Sequence, residues 1–402
     1  MHKKVYLASN VGMEYFLFLS KLLKNTDFNI ETFYYISETR YRLMSRGLLI
    51  TRLILRLKMY FLYPIYLIIR SLNFRRNSIF IVSSGTFYTP ILMQLLLKFK
   101  NIKVVQLLYD LYPDILEASK IIKKNSTASK IIGQISKHNQ KTCYGTVYLG
   151  SFLREHTERR WGKAINSEVI DISTDIDLYD DHLPIKNQND KFIIHYGGQL
   201  GQAHDVDSII ACLKLFYKTN LTKFFEFNFA ISGAKSLYFR NQMRDYPLDI
   251  NNTYKGDIWR RKIKNFHIGL VSLMPAGATI CLPSKTYSLM AGGLSIISIC
   301  PKWSDLAKLV ELNNSGWIVN NSSSAIRPES ININEYSEKI YGIKDRKIIS
   351  ENFISILEEI KYNPNLVYDK SLNSYNNVRK NYNTKNLSNK WNNFLLKIKN
   401  TS

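Results

Sequence analysis

The sequence predicts an α/β protein made of two parallel-sheet domains. Three observations carry this. Short apolar runs alternate with helix-length spacers, the pattern of strands buried on both faces with helices between them. The alternation stops at a polar stretch, "DDHLPIKNQNDK" (Asp180–Lys191), and then restarts. The 402 residues suit two domains of roughly 150–200 residues better than a single core.

In chain order, "VYLAS" (Val5–Ser9) reads as the first strand, followed by a turn at Gly12 and a helix to Lys24. "IETFYYI", "SIFIVSS", "VVQLLYD", "GTVYLG" and "EVIDI" read as further strands. Beyond the polar stretch, "KFIIHYGG" is a strand, and "DVDSIIACLKLFYK" is an amphipathic helix with an acidic first turn. "FEFNFAISG", "NFHIGLVSL", "LSIISIC" and "GWIV" complete the second set. The tail beyond Asn320 is polar and helical, and ends in amphipathic "NKWNNFLLKIKN". The sequence contains no repeat of the length that marks solenoids.

A hydrophobic content of 45% excludes wholesale disorder. The net charge of +23, from 55 Lys+Arg against 32 Asp+Glu, fits an anionic partner: nucleic acid, membrane surface or phosphorylated substrate. It also fits a Lys/Asn/Ile-rich composition with no functional meaning. No helix-turn-helix, RRM, KH or zinc signature accompanies the charge, so nucleic acid binding is the minor alternative. Cys143, Cys212, Cys281 and Cys300 are far apart and form no CxxC. They read as buried thiols in a reducing compartment, and the first residues lack a secretory pattern, so a cytoplasmic protein is expected.

One segment is unusually basic. Arg40 to Arg76 holds nine Lys/Arg and no acid, around the apolar run "MYFLYPIYLII" (Met59–Ile69). Eleven residues are too few for a spanning helix, which needs about 20. Basic flanks around Tyr and Phe suit an interfacial helix on anionic lipid, or a core helix with a basic outer face.

Three stretches could carry chemistry. In "GGQLGQAHD", Gly197, Gly198 and Gly201 permit close backbone approach, and Asp205 can cap the next helix. Such a turn can present amides to a phosphate. In "SGAKS", Gly233 closes a strand and Lys235 begins the next loop. In "PSKTYSLMAGGLSII" (Pro283–Ile297), Pro283 suits a helix start, Ser284 can cap it, and Lys285 adds a full charge to the partial charge of the helix mouth. Gly292 and Gly293 keep the helix thin where it meets the next strand. "DID" at Asp175–Asp177 reads as a turn, and no acidic pair is placed like a metal site.

The order of "HYGGQLGQAHDVDSII", "ISGA", "YKGDI", "HIGLVSL…LPSKTYSLMAGGLSIIS" and "SGWIV" resembles the carboxyl-terminal domain of family 4 glycosyltransferases. The narrower likeness is to the bacterial surface-polysaccharide branch, with its "YSGNLGRAH…PSKxYxxMAAGxPII" pattern. "YDLYPDI" (Tyr109–Ile115) resembles that branch's "RDLWPE", and "VIDISTDID" (Val169–Asp177) its hinge strand. The resemblance implies a GT-B fold: two Rossmann-like domains facing an interdomain cleft. The boundaries expected are residues 1–178 for the acceptor domain, 179–385 for the nucleotide-sugar domain, and 386–402 for a last helix returning to the first domain.

The resemblance also implies a glycosyltransferase that moves a sugar from a UDP- or GDP-linked donor to a lipid-linked glycan on undecaprenyl diphosphate. It would build O-antigen, capsule or exopolysaccharide, with retention of configuration. It would need no metal or other cofactor, and would sit at the inner face of the cytoplasmic membrane, held through Arg40–Arg76. Lys285 and Ser284 would hold the diphosphate, with Gly198, Gly201, Gly233 and Lys235 beside it. The base would lie near Gly256, Asp257 and Ile258, with Arg261 close by. Tyr287 or Ser288 would take the ribose. Gly12, Tyr109 and Asp110 would face the acceptor. Asp110 and Lys285 are the implied catalytic residues, although Asp110 also reads as a structural cap.

This sequence departs from the family pattern in three places, one of them at Tyr109, where the family carries a basic residue before the aspartate. The paired glutamates are missing: their positions fall near Ile280 and at Ser288. The arginine of the glycine turn is Gln202, so the phosphate charge falls to Lys285, with Lys235 or with Arg260 and Arg261. A catalytically impaired scaffold is therefore the alternative reading.

Overall fold

The computed structural model describes residues 3–46, 49–179, 182–187, 191–254, 256–324 and 342–401. The chain forms two compact units: Met1–Ile172 with Thr384–Ser402, and Ser173–Asn383. Residues 180–181 and 188–190 of the polar stretch lie outside the described residues, as do 325–341 of the tail. The rest of the polar stretch is not a free linker at its start. His182 is buried, and its Nε2 donates to the carbonyl of Arg260 at 2.7 Å.

The first unit holds β1 (Lys4–Gly12), β2 (Asn29–Ser37), β3 (Ile79–Ser83), β4 (Lys103–Leu108), β5 (Gly145–Tyr148) and β6 (Ser167–Val169). They form one parallel sheet in the order β2-β1-β3-β4-β5-β6. Helices cover both faces, so β3, β4 and β5 are buried throughout and read as unbroken apolar runs. Alternate residues of β1 serve opposite faces. Val5 and Leu7 meet the helix Glu14–Lys24 and the last helix, Thr384–Asn400, which contributes Leu387, Trp391, Phe394, Leu395 and Ile398. Tyr6 and Ala8 meet Tyr63, Leu67, Met93 and Leu97 on the other side. Lys103 fastens the last helix, donating to the carbonyls of Ile398 (3.1 Å), Lys399 (3.2 Å) and Thr401. A cation at a helix C-terminus meets its unpaired carbonyls and negative end.

The second unit holds β7 (Phe192–Gln199), β8 (Phe225–Ser232), β9 (Asp249–Asn252), β10 (Ile268–Ser272), β11 (Ser295–Cys300) and β12 (Gly316–Asn320). All are parallel, in the order β12-β11-β10-β7-β8-β9. Ile194, Tyr196, Phe227, Phe229, Leu270 and Ile297 pack with side chains of the helices Val206–Phe216 and Arg346–Tyr362. Every strand read from the sequence is present. β9, "DINN", was not read as a strand, because it is a polar edge strand paired only to β8.

Both sheets are doubly wound, so each has a point where the strand order reverses. Ligands of open α/β sheets bind beyond the carboxyl ends of the strands at that point. It lies between β1 and β3 in the first unit and between β7 and β10 in the second.

Candidate functional site

In the second unit, the loop after β7 and the helix Lys285–Ala291 after β10 meet at the switch point. The loop is pinned from several sides. Asp205 caps the helix Val206–Phe216 by accepting from Ser208 N at 3.2 Å, and its other oxygen accepts from Asn321 Nδ2 at 2.7 Å. Asn321 also donates to the carbonyl of Leu273 at 2.8 Å, tying the loop to the end of β10. Met274 N donates to Ala203 O at 2.9 Å, and a Cβ on Gly277 would sit 2.4 Å from that same oxygen. Glycine is required there because two backbones touch.

Lys285 is the centre of this site. Its Nζ is buried, has no hydrogen-bond partner, and lies 3.5 Å from the centroid of the Tyr196 ring. The aromatic face supplies a partial counter-charge. Burial holds its ammonium well below the usual lysine range, an effect the Cys281 thiol partly offsets. The charge of Lys285 reaches two buried imidazoles. Burial brings His195 down to about 4, helped by Lys285, and holds His204 well below the usual range, again with Lys285 contributing. His195 Nδ1 bonds Asn228 Oδ1 at 2.8 Å, while its buried Nε2 points toward Gly197. Among the described residues no carboxylate pairs with Lys285, and its charge is felt at both imidazoles. A cation without a counter-charge is stabilised by a nearby anion.

The structure sorts the other residues singled out in the sequence. Gly198 has φ +105°, a conformation that favours glycine, and a Cβ there would lie 3.8 Å from Lys285 Cδ. Gly201 does not offer its amide outward, because it donates to His204 Nδ1 at 3.1 Å. Gly233 has φ +102° and approaches the Leu200 backbone. Lys235 begins the helix Ser236–Gln242, and its Nζ binds the carbonyls of Gln202 (3.3 Å) and His204 (3.0 Å). It braces the glycine loop.

Ser284 does not cap its helix. Its own backbone is helical, with φ −58° and ψ −28°, and its side chain makes no capping bond. The helix is only seven residues long, so the lysine side chain matters more than the helix field. Tyr287, in the first turn of the helix, is fully buried with its ring against Tyr382 and packs the core. Ser288 Oγ lies 3.4 Å from Thr174 Oγ1.

Gly256, Asp257, Ile258 and Arg261 lie on the helix Gly256–Ile263 and are exposed. Asp257 pairs with Arg260. Trp259 on the same helix lies beside His195, which stacks on Phe266 at 4.1 Å. Asp177 falls in the short 3-10 turn Ile176–Tyr179. Among the described residues no group of His, Cys, Asp and Glu comes together as metal ligands would.

In the first unit, Gly12 ends β1 against the Tyr34 ring, and Tyr109 and Asp110 follow β4. Ser84 Oγ donates to Asp110 O at 2.9 Å and accepts from the amides of Tyr109 and Asp110, both at 3.2 Å. Asp110 does not cap a helix; the helix Asp114–Ala118 begins later, and its Asp114 is bound to His156 and Arg160. Desolvation raises the Asp110 carboxyl to about 6. The field of Asp110 in turn acts on the phenols of Tyr15, Tyr41 and Tyr112, and Tyr60 bonds Tyr112. The sequence reading missed these tyrosines, and with them His195 and Tyr196. The "HY" pair just before the glycines of β7 was the local signal.

No family model matches the chain, and no curated protein matches it. Solved structures do. HepE from Anabaena, solved with UDP, superposes over 98% of this chain and 100% of its own at a TM-score of 0.64 and 9% identity. Sucrose-phosphate synthase from Thermosynechococcus elongatus covers 99% of both chains at a TM-score of 0.67 and 10% identity. The pneumococcal O-GlcNAc transferase GtfA, solved with UDP and GlcNAc, matches 84% of this chain and 60% of its own at a TM-score of 0.56 and 12% identity. The fold is GT-B: α/β, with two doubly wound parallel sheets.

Proposed function

We propose that this protein is a glycosyltransferase that takes a sugar from a nucleoside diphosphate, UDP- or GDP-linked. The observation that carries the reading is the buried, unpartnered Lys285 ammonium at the β7/β10 switch point. A lysine held in that state is relieved by a phosphate oxygen. UDP is the first nucleotide to test, because HepE and GtfA were solved with it.

The chemistry follows from charge. The bond between the anomeric carbon and the diphosphate breaks, and a bond to the acceptor hydroxyl oxygen forms on the same face. The hydroxyl proton passes to the departing phosphate oxygen, and Lys285 neutralises the diphosphate left behind. No divalent ion is proposed for this step. Asp110, on the first unit, holds the acceptor hydroxyl; a carboxyl near 6 can accept a hydrogen bond at neutral pH. The proposed acceptor is a lipid-linked glycan on undecaprenyl diphosphate, in O-antigen, capsule or exopolysaccharide synthesis at the inner face of the cytoplasmic membrane. The basic Arg40–Arg76 segment supports that choice.

A thermal-shift screen with UDP, GDP, ADP and CMP tests the donor side. The true donor's nucleotide raises the melting temperature by mass action, and Lys285→Ala removes that rise. An unchanged shift in the variant removes Lys285 from the site. Nucleotide binding without transfer to a competent lipid acceptor identifies an impaired scaffold.

A further inference from the structure

We infer that the helical arm from Leu49 to Leu72 is a membrane-docking surface that lies flat on an anionic bilayer. The inference deepens the acceptor side of the proposed function and rests on that reading for the identity of the acceptor. The arm comprises the helix Leu49–Leu57, a π turn at Lys58–Leu62 and the helix Tyr63–Ser71.

Its two sides are sharply different. Leu49, Leu53, Leu57, Phe61, Ile65 and Ile69 recur every fourth residue, and each is 50–74% exposed. Ile50 and Ile54 widen this outer row and are 60% and 47% exposed. Leu55, Met59, Tyr63 and Leu67 also recur every fourth residue, and they are buried. A regular α-helix rotates a four-residue repeat by about 40° per step, so both rows would spiral away. The wider π turn takes up an extra residue midway and brings both rows back into line. The apolar run Met59–Ile69 is therefore divided: Met59, Tyr63, Pro64 and Leu67 are core, while Phe61, Ile65 and Ile69 join a longer outer row that starts at Leu49.

Soluble monomers rarely leave an apolar row of this length uncovered. Its occupant follows from the charges beside it. By helical position, Arg52 and Arg56 border one edge and Lys58 the other. Exposed Arg75 and Arg76 follow the arm's end, and no acidic residue occurs from Arg40 to Arg76. Arg70 pairs with Glu31 at 3.0 Å and Arg42 with Glu38. An apolar stripe bordered by cations fits acyl chains with anionic headgroups above them. A second copy of the chain fits poorly, because a two-fold contact sets like charges against each other.

The arm cannot span: no helix among the described residues is long and apolar enough to cross a membrane. It is about 35 Å long and lies in the interface plane. Its inner side is fixed to the switch point of the first unit. Thr86 Oγ1 donates to the carbonyl of Met59 at 3.1 Å, and Asn10 Nδ2 donates to Thr86 Oγ1 at 3.3 Å. The same π turn carries Tyr60 inward to Tyr112, beside Asp110, and Phe61 outward. A lipid-borne acceptor would thus lie at the back of the surface that holds its membrane.

The test is flotation of the full chain with phosphatidylcholine vesicles, with and without phosphatidylglycerol. The expected result is binding that requires phosphatidylglycerol, weakens with salt, and falls at least tenfold in a Leu53→Ser/Leu57→Ser/Phe61→Ser variant that keeps its nucleotide thermal shift. A Phe61→Trp reporter should move to shorter emission wavelength with the same vesicles. The inference is overturned by a wild type that ignores phosphatidylglycerol vesicles, or by a triple variant that binds them undiminished. It is also overturned by a dimer in light scattering that the triple variant dissolves. A wild type that shows its UDP shift but does not bind phosphatidylglycerol vesicles sinks this inference alone. Vesicle binding without any nucleotide shift sinks the donor reading alone.

Discussion

The switch points of the two units are opposites. In the second unit, Lys285 lies over the Tyr196 ring, and Lys285, His195 and His204 are each pushed toward their neutral forms. In the first, a single carboxyl, Asp110, stands among phenols and is also pushed toward neutrality, from the other side. Under the proposed function, each group lacks a partner that a ligand would bring: a negative charge for Lys285, an acceptor hydroxyl for Asp110.

The strongest way to break this comparison is a crossed pair of substitutions. Lys285→Ala should weaken nucleotide binding by about 10²–10³-fold. Asp110→Asn should leave nucleotide binding within about twofold and lower transfer by about 10²–10⁴-fold. Calorimetry and a lipid-acceptor assay read the two effects. If Asp110→Asn weakens nucleotide binding as much as Lys285→Ala does, the division of labour is wrong.

Glycines sharpen the contrast at intermediate scale. Gly198→Ala forces a side chain into φ +105° beside the Lys285 stem, a strain of about 1–3 kcal/mol. Nucleotide affinity should fall roughly tenfold, since 1.4 kcal/mol is a factor of ten. Gly12→Ala has no such backbone problem, but its Cβ would sit 2.7 Å from the Tyr34 ring. It should lower stability in denaturant melts while sparing nucleotide affinity.

The smallest effects have the clearest signs. A carboxyl raised to about 6 in the folded protein destabilises it once pH rises above the ordinary value. Asp110→Asn should therefore stabilise the fold by about 1–2 kcal/mol above pH 6, with the solvent exposure of Asp110 discounted, and by nothing at pH 3. A depressed lysine has the reverse slope: the unfolded chain binds a proton that the folded chain resists, so the penalty grows as pH falls below 10.5. Lys285→Met should stabilise more at pH 6 than at pH 10. Parallel slopes for the two variants in thermal melts across pH would contradict the opposed signs.

Much of this was legible in the sequence, for a physical reason. Buried parallel strands are continuous apolar words, so "IFIVS" and "SIISIC" announce themselves. "DINN" does not, because an edge strand needs no apolar face. Lys285 stood out by its place in "PSKTY", but its burial depends on Tyr196, 89 positions earlier, and pairwise distance is not written in local pattern. Ser284 looked like a cap because serine caps helices; its backbone enters the helix instead. The Met59–Ile69 run was visible as apolar, but its split into inner and outer rows needed the π turn, which leaves no compositional mark.

The last helix has a consequence for synthesis. Its five apolar side chains complete the core of the first unit, yet they are translated after the whole of the second. A ribosome therefore releases a finished second unit while the first still lacks a wall. Stop codons within the first turns of this helix should leave the second unit folded and the first open to proteases.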